Sequence, residues 1–172
     1  MFDPTIFDNL KTVVEGAVYD LDTNDELISI IDRSDIVDLA KFTRAYALSF
    51  QLRHAHQVTC TISLEMTLQH IANELLHEDV TNAGCTVTVS FSFSATHVDC
   101  GDVEQALKRI WGEQRTVIQT LTYTYPKHER YTHQVTIDFE RTINESHVDD
   151  LLQMIPYIIR SLEQLLLYAE QK

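Results

Sequence analysis

A chain of 172 residues is long enough to bury a substantial core, and a composition of 44% apolar and 23% charged residues with four glycines and three prolines is that of a folded protein. The formal charge of −13 argues against nucleic acid or an anionic membrane as partner, because both select for lysine and arginine, and suits an acidic protein steered towards a basic one. Three cysteines (Cys60, Cys85, Cys100), odd in number and without CxxC spacing, fit reduced thiols in the cytoplasm. The opening Met1–Thr5 has no basic region and no long apolar run of the signal-peptide kind, and the densest apolar stretch, Leu162–Ala169, is too short to span a bilayer.

In chain order, Val13, Val14, Val18 and Tyr19 predict a first strand over Thr12–Leu21. Asp25 then reads as the N-cap of a short helix carrying Leu27, Ile30 and Ile31 at helical spacing. Phe42–Arg53 alternates as a strand, with Phe42, Tyr46, Leu48, Phe50 and Leu52 on one face and Arg44 as the one charge among them. A turn at His54-Ala-His56 leads to a strand over Gln57–Leu64, and a helix follows from about Met66 to His77 with Leu68, Ile71, Leu75 and Leu76 inward.

The second half repeats the series. Cys85–Val98 alternates most clearly, with Val87, Val89, Phe91 and Phe93 against a row of Ser and Thr. Gly101-Asp102 opens a helix with Val103, Ala106, Leu107 and Ile110 inward, and Gly112 is placed to end it. Arg115–Tyr125 and His133–Glu140 form a hairpin across Pro126–Arg130. The long final helix starts at Ser146 as N-cap, with Asp149 three positions on, and turns Val148, Leu151, Leu152, Ile155, Ile159, Leu162, Leu165, Leu166 and Ala169 inward. Met154, Tyr157, Ile158, Leu167 and Tyr168 widen its apolar surface, and Pro156 removes the bond to the Leu152 carbonyl and should kink it.

The tetrapeptide His-Gln-Val-Thr occurs at His56–Thr59 and again at His133–Thr136, 77 positions apart, each time opening a strand that leads into a helix. The expected fold is therefore α+β: a single pseudo-symmetric domain, residues 1–172, of two tandem β-α-β-β-α units (approximately 11–80 and 84–172). Alternating rather than solid strand hydrophobicity indicates antiparallel sheet with helices on one face. In topology and charge this body resembles the secretion-chaperone-like folds.

Chemistry is sparsely signalled. His54, His56, His128 and His133 would converge if a twofold relates the halves, and paired imidazoles can hold zinc or copper, but rim residues bonded to backbone or water are the commoner outcome. Cys60 reads as a small core residue. The run Asp20–Glu26 starts like a calcium loop but has Asp25 and Ile31 at its sixth and twelfth positions, so a turn explains it better, and Asp32, Asp35 and Asp38 read as a solvated face. No nucleophile-elbow, dinucleotide, phosphate-loop or zinc-helix motif occurs. No cofactor is expected.

The neutral Ser/Thr face (Thr59, Thr61, Ser63; Thr86 to Ser94; Thr120, Thr122, Thr124) and the wide last helix favour binding over catalysis. The first expectation is a cytoplasmic, non-enzymatic, acidic module that binds another protein, of a chaperone, regulator or immunity kind, and forms a homodimer through the last helix or the sheet. The alternative is a small-ligand or metal-binding module with a histidine-lined site between sheet and C-terminal helix. A third is a small hydrolase or isomerase with a His/carboxylate site.

Overall fold

Strict alternation organises the protein around one strand. Cys85, Val87, Val89, Phe91, Phe93 and Ala95 are buried, and the Thr and Ser residues between them are not. The computed structural model describes residues 5–76, 81–97 and 99–169, apart from the side chains at 127 and 128. The elements are α1 (Thr5–Thr23), β1 (Ile28–Asp38), β2 (Thr43–Leu52), β3 (Ala55–Met66), α2 (Leu68–Leu76), β4 (Cys85–Ala95), α3 (Cys100–Trp111), β5 (Thr116–Thr124), β6 (Lys127–Ile143), a 3-10 turn (Glu145–His147) and α4 (Val148–Leu165). They form one six-stranded sheet in the order β1-β2-β3-β4-β6-β5, with every neighbouring pair antiparallel. The α+β class, the antiparallel sheet, the helices packed against it and the long C-terminal helix are as the sequence predicts.

Two N-terminal elements are not. Thr12–Leu21 lies inside helix α1, whose buried Phe7, Leu10, Val14 and Val18 follow a helical period that begins upstream of the valines. The segment after Asp25 is strand β1, with its register shifting between Ile30 and Asp32. That bulge inserts an extra residue, so the apolar positions lose period two and imitate helical spacing. The first unit thus runs α-β-β-β-α, against β-α-β-β-α for the second. The two His-Gln-Val-Thr strands, β3 and β6, flank β4 on either side; Val58 and His133 both face Phe93, so the copies are staggered by two residues.

Helices α1, α3 and α4 bury on the apolar face in one continuous core. The sequence places the inward stripe of α4 too far round: Leu151, Met154, Ile158, Leu162 and Leu165 are buried and Leu152 is exposed. Its start is also displaced: α4 begins at Val148 with His147, rather than Ser146, at its N-cap position, and Asn144 caps the preceding 3-10 turn, accepting from Ser146 N at 3.0 Å. Pro156 lies inside the helix on its exposed side. Trp111 Nε1 donates to Ser161 Oγ at 2.8 Å, and Ser161 Oγ donates to the Tyr157 carbonyl, joining α3 to α4 without orphaning a buried donor. Gly84 sits where an added Cβ would lie 1.9 Å from the Ile143 carbonyl oxygen, so the entry to β4 beside β6 requires glycine.

Arg44, the one charge on the apolar row of β2, reaches the edge of the core. Its guanidinium meets Asp8 at 2.9 Å and Asp35 at 3.0 Å, over the ring of Phe7. Lys11 also binds Asp35, at 2.6 Å. Asp35 is therefore no freely solvated residue: the hydrogen bond from Arg44, helped by Lys11 and opposed by desolvation, holds its carboxyl at about 2. Asp38, likewise, caps the following turn through Ala40 N and Lys41 N. A depressed carboxylate contributes stability that is complete above its unfolded value and lost as the pH falls through its folded one. Asp35→Asn should lower stability by about 1 kcal/mol at neutral pH, after allowance for solvent screening. It should also remove part of the stability loss between about pH 4 and pH 2, read by denaturant titration at each pH; an unchanged acid limb would contradict the assignment.

Candidate functional site

The candidate histidines whose side chains are described do not gather into one site. His54 and His56 are exposed at the β2–β3 turn, whereas His133 is buried in β6 with its ring 4.8 Å from that of Phe93. His133 Nε2 is 2.8 Å from Gln119 Oε1, and Gln119 Nε2 donates to the Cys100 carbonyl. Its partner is an amide, not a carboxylate. The side chain of His128 lies outside the described residues. Among the described residues no group of three His, Cys, Asp or Glu gathers as a metal set. Cys60 is fully buried, as expected of a core residue, and burial pushes its thiol up.

Two other histidines hold helices. Thr67 N donates to His70 Nδ1 at 3.1 Å before α2, and Asn144 N donates to His147 Nδ1 at 3.1 Å before α4. Each is a capping box with an imidazole nitrogen where a Glu or Gln oxygen is usual. The two boxes, Thr67–His70 and Asn144–His147, are separated by the same 77 positions as the tetrapeptides. A Thr/Asn-x-x-His pattern at that offset is a sequence signal that searching for acidic capping boxes passes over.

A large apolar opening lies between α2 and the β1–β2 turn. Helix α2 has no buried residue: Leu68 and Leu76 are exposed, and only Ile71 packs partly on the core. The inward row expected of this helix instead faces an open groove of about 630 Å³, completed by Val37, Leu39 and Phe42. Leu39 is 78% and Phe42 61% exposed, and Phe42 has φ +52°, a left-handed conformation that a bulky side chain rarely adopts. Arg44, the one charged residue on the lining, is already answered by Asp8 and Asp35. The apolar residues around Asp38 carry the sequence signal, but their period is broken.

A second cavity, of about 240 Å³, lies between the sheet and α4. Opposite β4, the register of β6 slips between Asp138 and Thr142, and Glu140 has φ +52°. This irregularity aims Phe139 and Arg141 at the cavity beside Trp111, Arg115, His147 and Tyr157. Arg115 stacks over Phe139 at 5.2 Å, while Arg141 is paired with Asp150 at 2.7 Å. His147 lines this cavity, and none of the candidate histidines with a described side chain does.

No helix among the described residues is long and apolar enough to cross a membrane. The chain matches no family model and no curated protein.

Burial lowers the pKa of both His70 and His133. Each contributes stability that is complete above its unfolded value and lost as the pH falls towards its lower folded value, since the unfolded chain takes up protons first. Melting temperature should fall between about pH 7 and pH 5, and the double substitution His70→Gln, His133→Gln should flatten that slope. Equal slopes for the two proteins in differential scanning fluorimetry would count against the assignment.

Proposed function

We propose that this protein is a non-enzymatic, acidic, cytoplasmic protein-binding module that acts as a homodimer, and that its client site is the groove between α2 and the β1–β2 turn. The observation that carries the reading is the apolar face of α2, which no described residue covers, facing the exposed side chains of Leu39 and Phe42. An apolar surface of this kind, open to water and continuous across two elements, marks a binding surface more often than a solvated one. The left-handed backbone at Phe42 adds to this, because strain of about 1–3 kcal/mol at an exposed aromatic has no compensation in the core. With a net charge of −13 around it, the groove suits an amphipathic helix whose apolar face is flanked by Lys or Arg. Three free cysteines, two of them buried, support a reducing compartment.

An amphipathic Leu/Lys helical peptide should bind in fluorescence anisotropy, and more weakly as salt is raised. Leu68→Glu and Phe42→Ala should each weaken it about tenfold or more while leaving the melting temperature nearly unchanged, since both side chains are exposed. Equal binding of the corresponding Leu/Glu peptide, or full binding by both variants, would overturn the reading.

The cavity beneath α4 supports a second reading, a small-ligand module. Arg115 and Arg141 beside Trp111, Phe139 and Tyr157 suit a planar aromatic carboxylate. Trp111 is the chain's one tryptophan, so its emission reports this cavity. Benzoate should shift that emission, and Arg115→Gln should weaken the response about tenfold, the equivalent of one charge-assisted hydrogen bond. No response in the wild-type protein would remove this reading.

A further inference from the structure

Sheet edges present unpaired backbone groups, and natural edges are guarded by charge, bulges or cover. The two edges of this sheet differ. β1 carries Asp32, Arg33, Asp35 and Asp38, has a bulge after Ile30, and is bridged by α1 through Lys11–Asp35 and Glu15–Arg33. β5 carries no charge, and its irregularities are slight: a register shift against β6 between Thr122 and Thr124, and one bond from Gln119 to the Cys100 carbonyl of α3. Its nine residues, Thr-Val-Ile-Gln-Thr-Leu-Thr-Tyr-Thr, include no charge, proline or glycine. Its one strand neighbour is β6, and seven of its positions are exposed, Ile118 at 47% and Leu121 at 40% among them.

We propose that β5 is the self-association edge: two copies pair their β5 strands antiparallel about a twofold axis at Thr120, joining two six-stranded sheets into one. The proposal deepens the homodimer reading above and rests on it. Charge selects the occupant. Two copies at −13 each repel wherever charged surfaces meet, and β5 is an uncharged strand along which they can approach. An antiparallel pair of identical strands is the contact that a closed twofold dimer makes. The register centred on Thr120 uses all nine residues, and any shift leaves some unpaired. It sets Val117 beside Tyr123, Gln119 beside Leu121 and Ile118 beside Thr122, pairings of β-branched, aromatic and hydroxyl side chains that favour strand association. No like charges face each other. The Ser/Thr face would then continue across both copies.

The test places a thiol on the axis. In a Cys100→Ser background, which leaves only the two buried native cysteines, Thr120→Cys puts each new thiol opposite its own copy. The Cα separation there would be about 4.5–5.5 Å, within reach of a disulfide. Mild oxidation should give a covalent dimer on a non-reducing gel. Thr124→Cys, displaced from its counterpart by roughly 27 Å along the strands, should not cross-link. Thr120→Lys should raise the dimer dissociation constant about tenfold or more in light scattering, with an unchanged circular dichroism spectrum. A wild-type dimer that survives Thr120→Lys and fails to cross-link at position 120 overturns the edge and leaves the homodimer standing. A wild-type protein monomeric at its highest soluble concentration overturns both. Loss of peptide binding at the groove in an intact β5 dimer touches only the client-site reading.

Discussion

Everything in this structure depends on β4 being apolar on one face and hydroxylated on the other. A central strand with that alternation can be paired on both edges, but it can be covered by helices on one side only. β3 and β6 flank it with matching alternation, so Cys60, Ile62 and Leu64 on one strand and Val135 and Ile137 on the other extend the same buried face. Helices α1, α3 and α4 must then lie on that face. Across the sheet, Ser49, Thr61, Ser90 and Thr136 follow one another through successive strand pairs, with Ser49 Oγ and Thr61 Oγ1 2.7 Å apart. Such a row offers an approaching helix no apolar surface.

That alternation is what the sequence displays most openly, and β2, β3, β4 and the β5–β6 hairpin are legible from it, although the hairpin turns at Tyr125-Pro126 and β6 already begins at Lys127, inside the expected Pro126–Arg130 turn. The N-terminal elements are not, for two different reasons. In α1 the valines carry a β-branched bias that wins when Thr12–Leu21 is taken alone, and only the register set by Phe7 and Leu10 restores the helical period. In β1 the bulge shifts the register at Ile30, and no composition signal marks a bulge in an edge strand. The final helix is misread at its start because a histidine takes the capping role. His147 accepts from Asn144 N just as a Glu would, and Ser146 serves the same cap as a donor.

The candidate sites were less legible than the fold, because both cavities form where periodicity fails. The histidine pair follows the sequence repeat, but a stagger of two residues puts His133 in the core and leaves His56 in solvent. The groove instead takes Val37, Leu39 and Phe42 from the β1–β2 turn, and the cavity beneath α4 takes Phe139 and Arg141 from an irregular stretch of β6. Of the three non-glycine residues with positive φ among those described, Phe42 lines the groove and Glu140 lies between Phe139 and Arg141. Backbone held there is disfavoured by about 1–3 kcal/mol per residue and persists only where the surroundings impose it. Regular strand pairing on either side of each position provides that constraint, so the sheet sustains the strain that re-aims side chains into both openings.

Acidity gives these surfaces different roles. Like charge separates copies of this chain over most of its exterior and would attract the basic client proposed above from a distance, with the attraction fading over about 8–10 Å at ordinary ionic strength. Close contact must then be made where charge is absent or already answered. The groove meets that condition because Asp8 and Asp35 neutralise Arg44 at its edge; the hydroxyl face and β5 meet it because they carry almost no ionisable groups. β1 fails it, since Asp32, Asp35 and Asp38 stand along that edge, and so its bulge and ion pairs with α1 keep it single. Charge distribution therefore separates a charged, bulged edge at β1 from an uncharged edge at β5 and an apolar groove whose single charge is answered, the division on which the proposed dimer and client site rest.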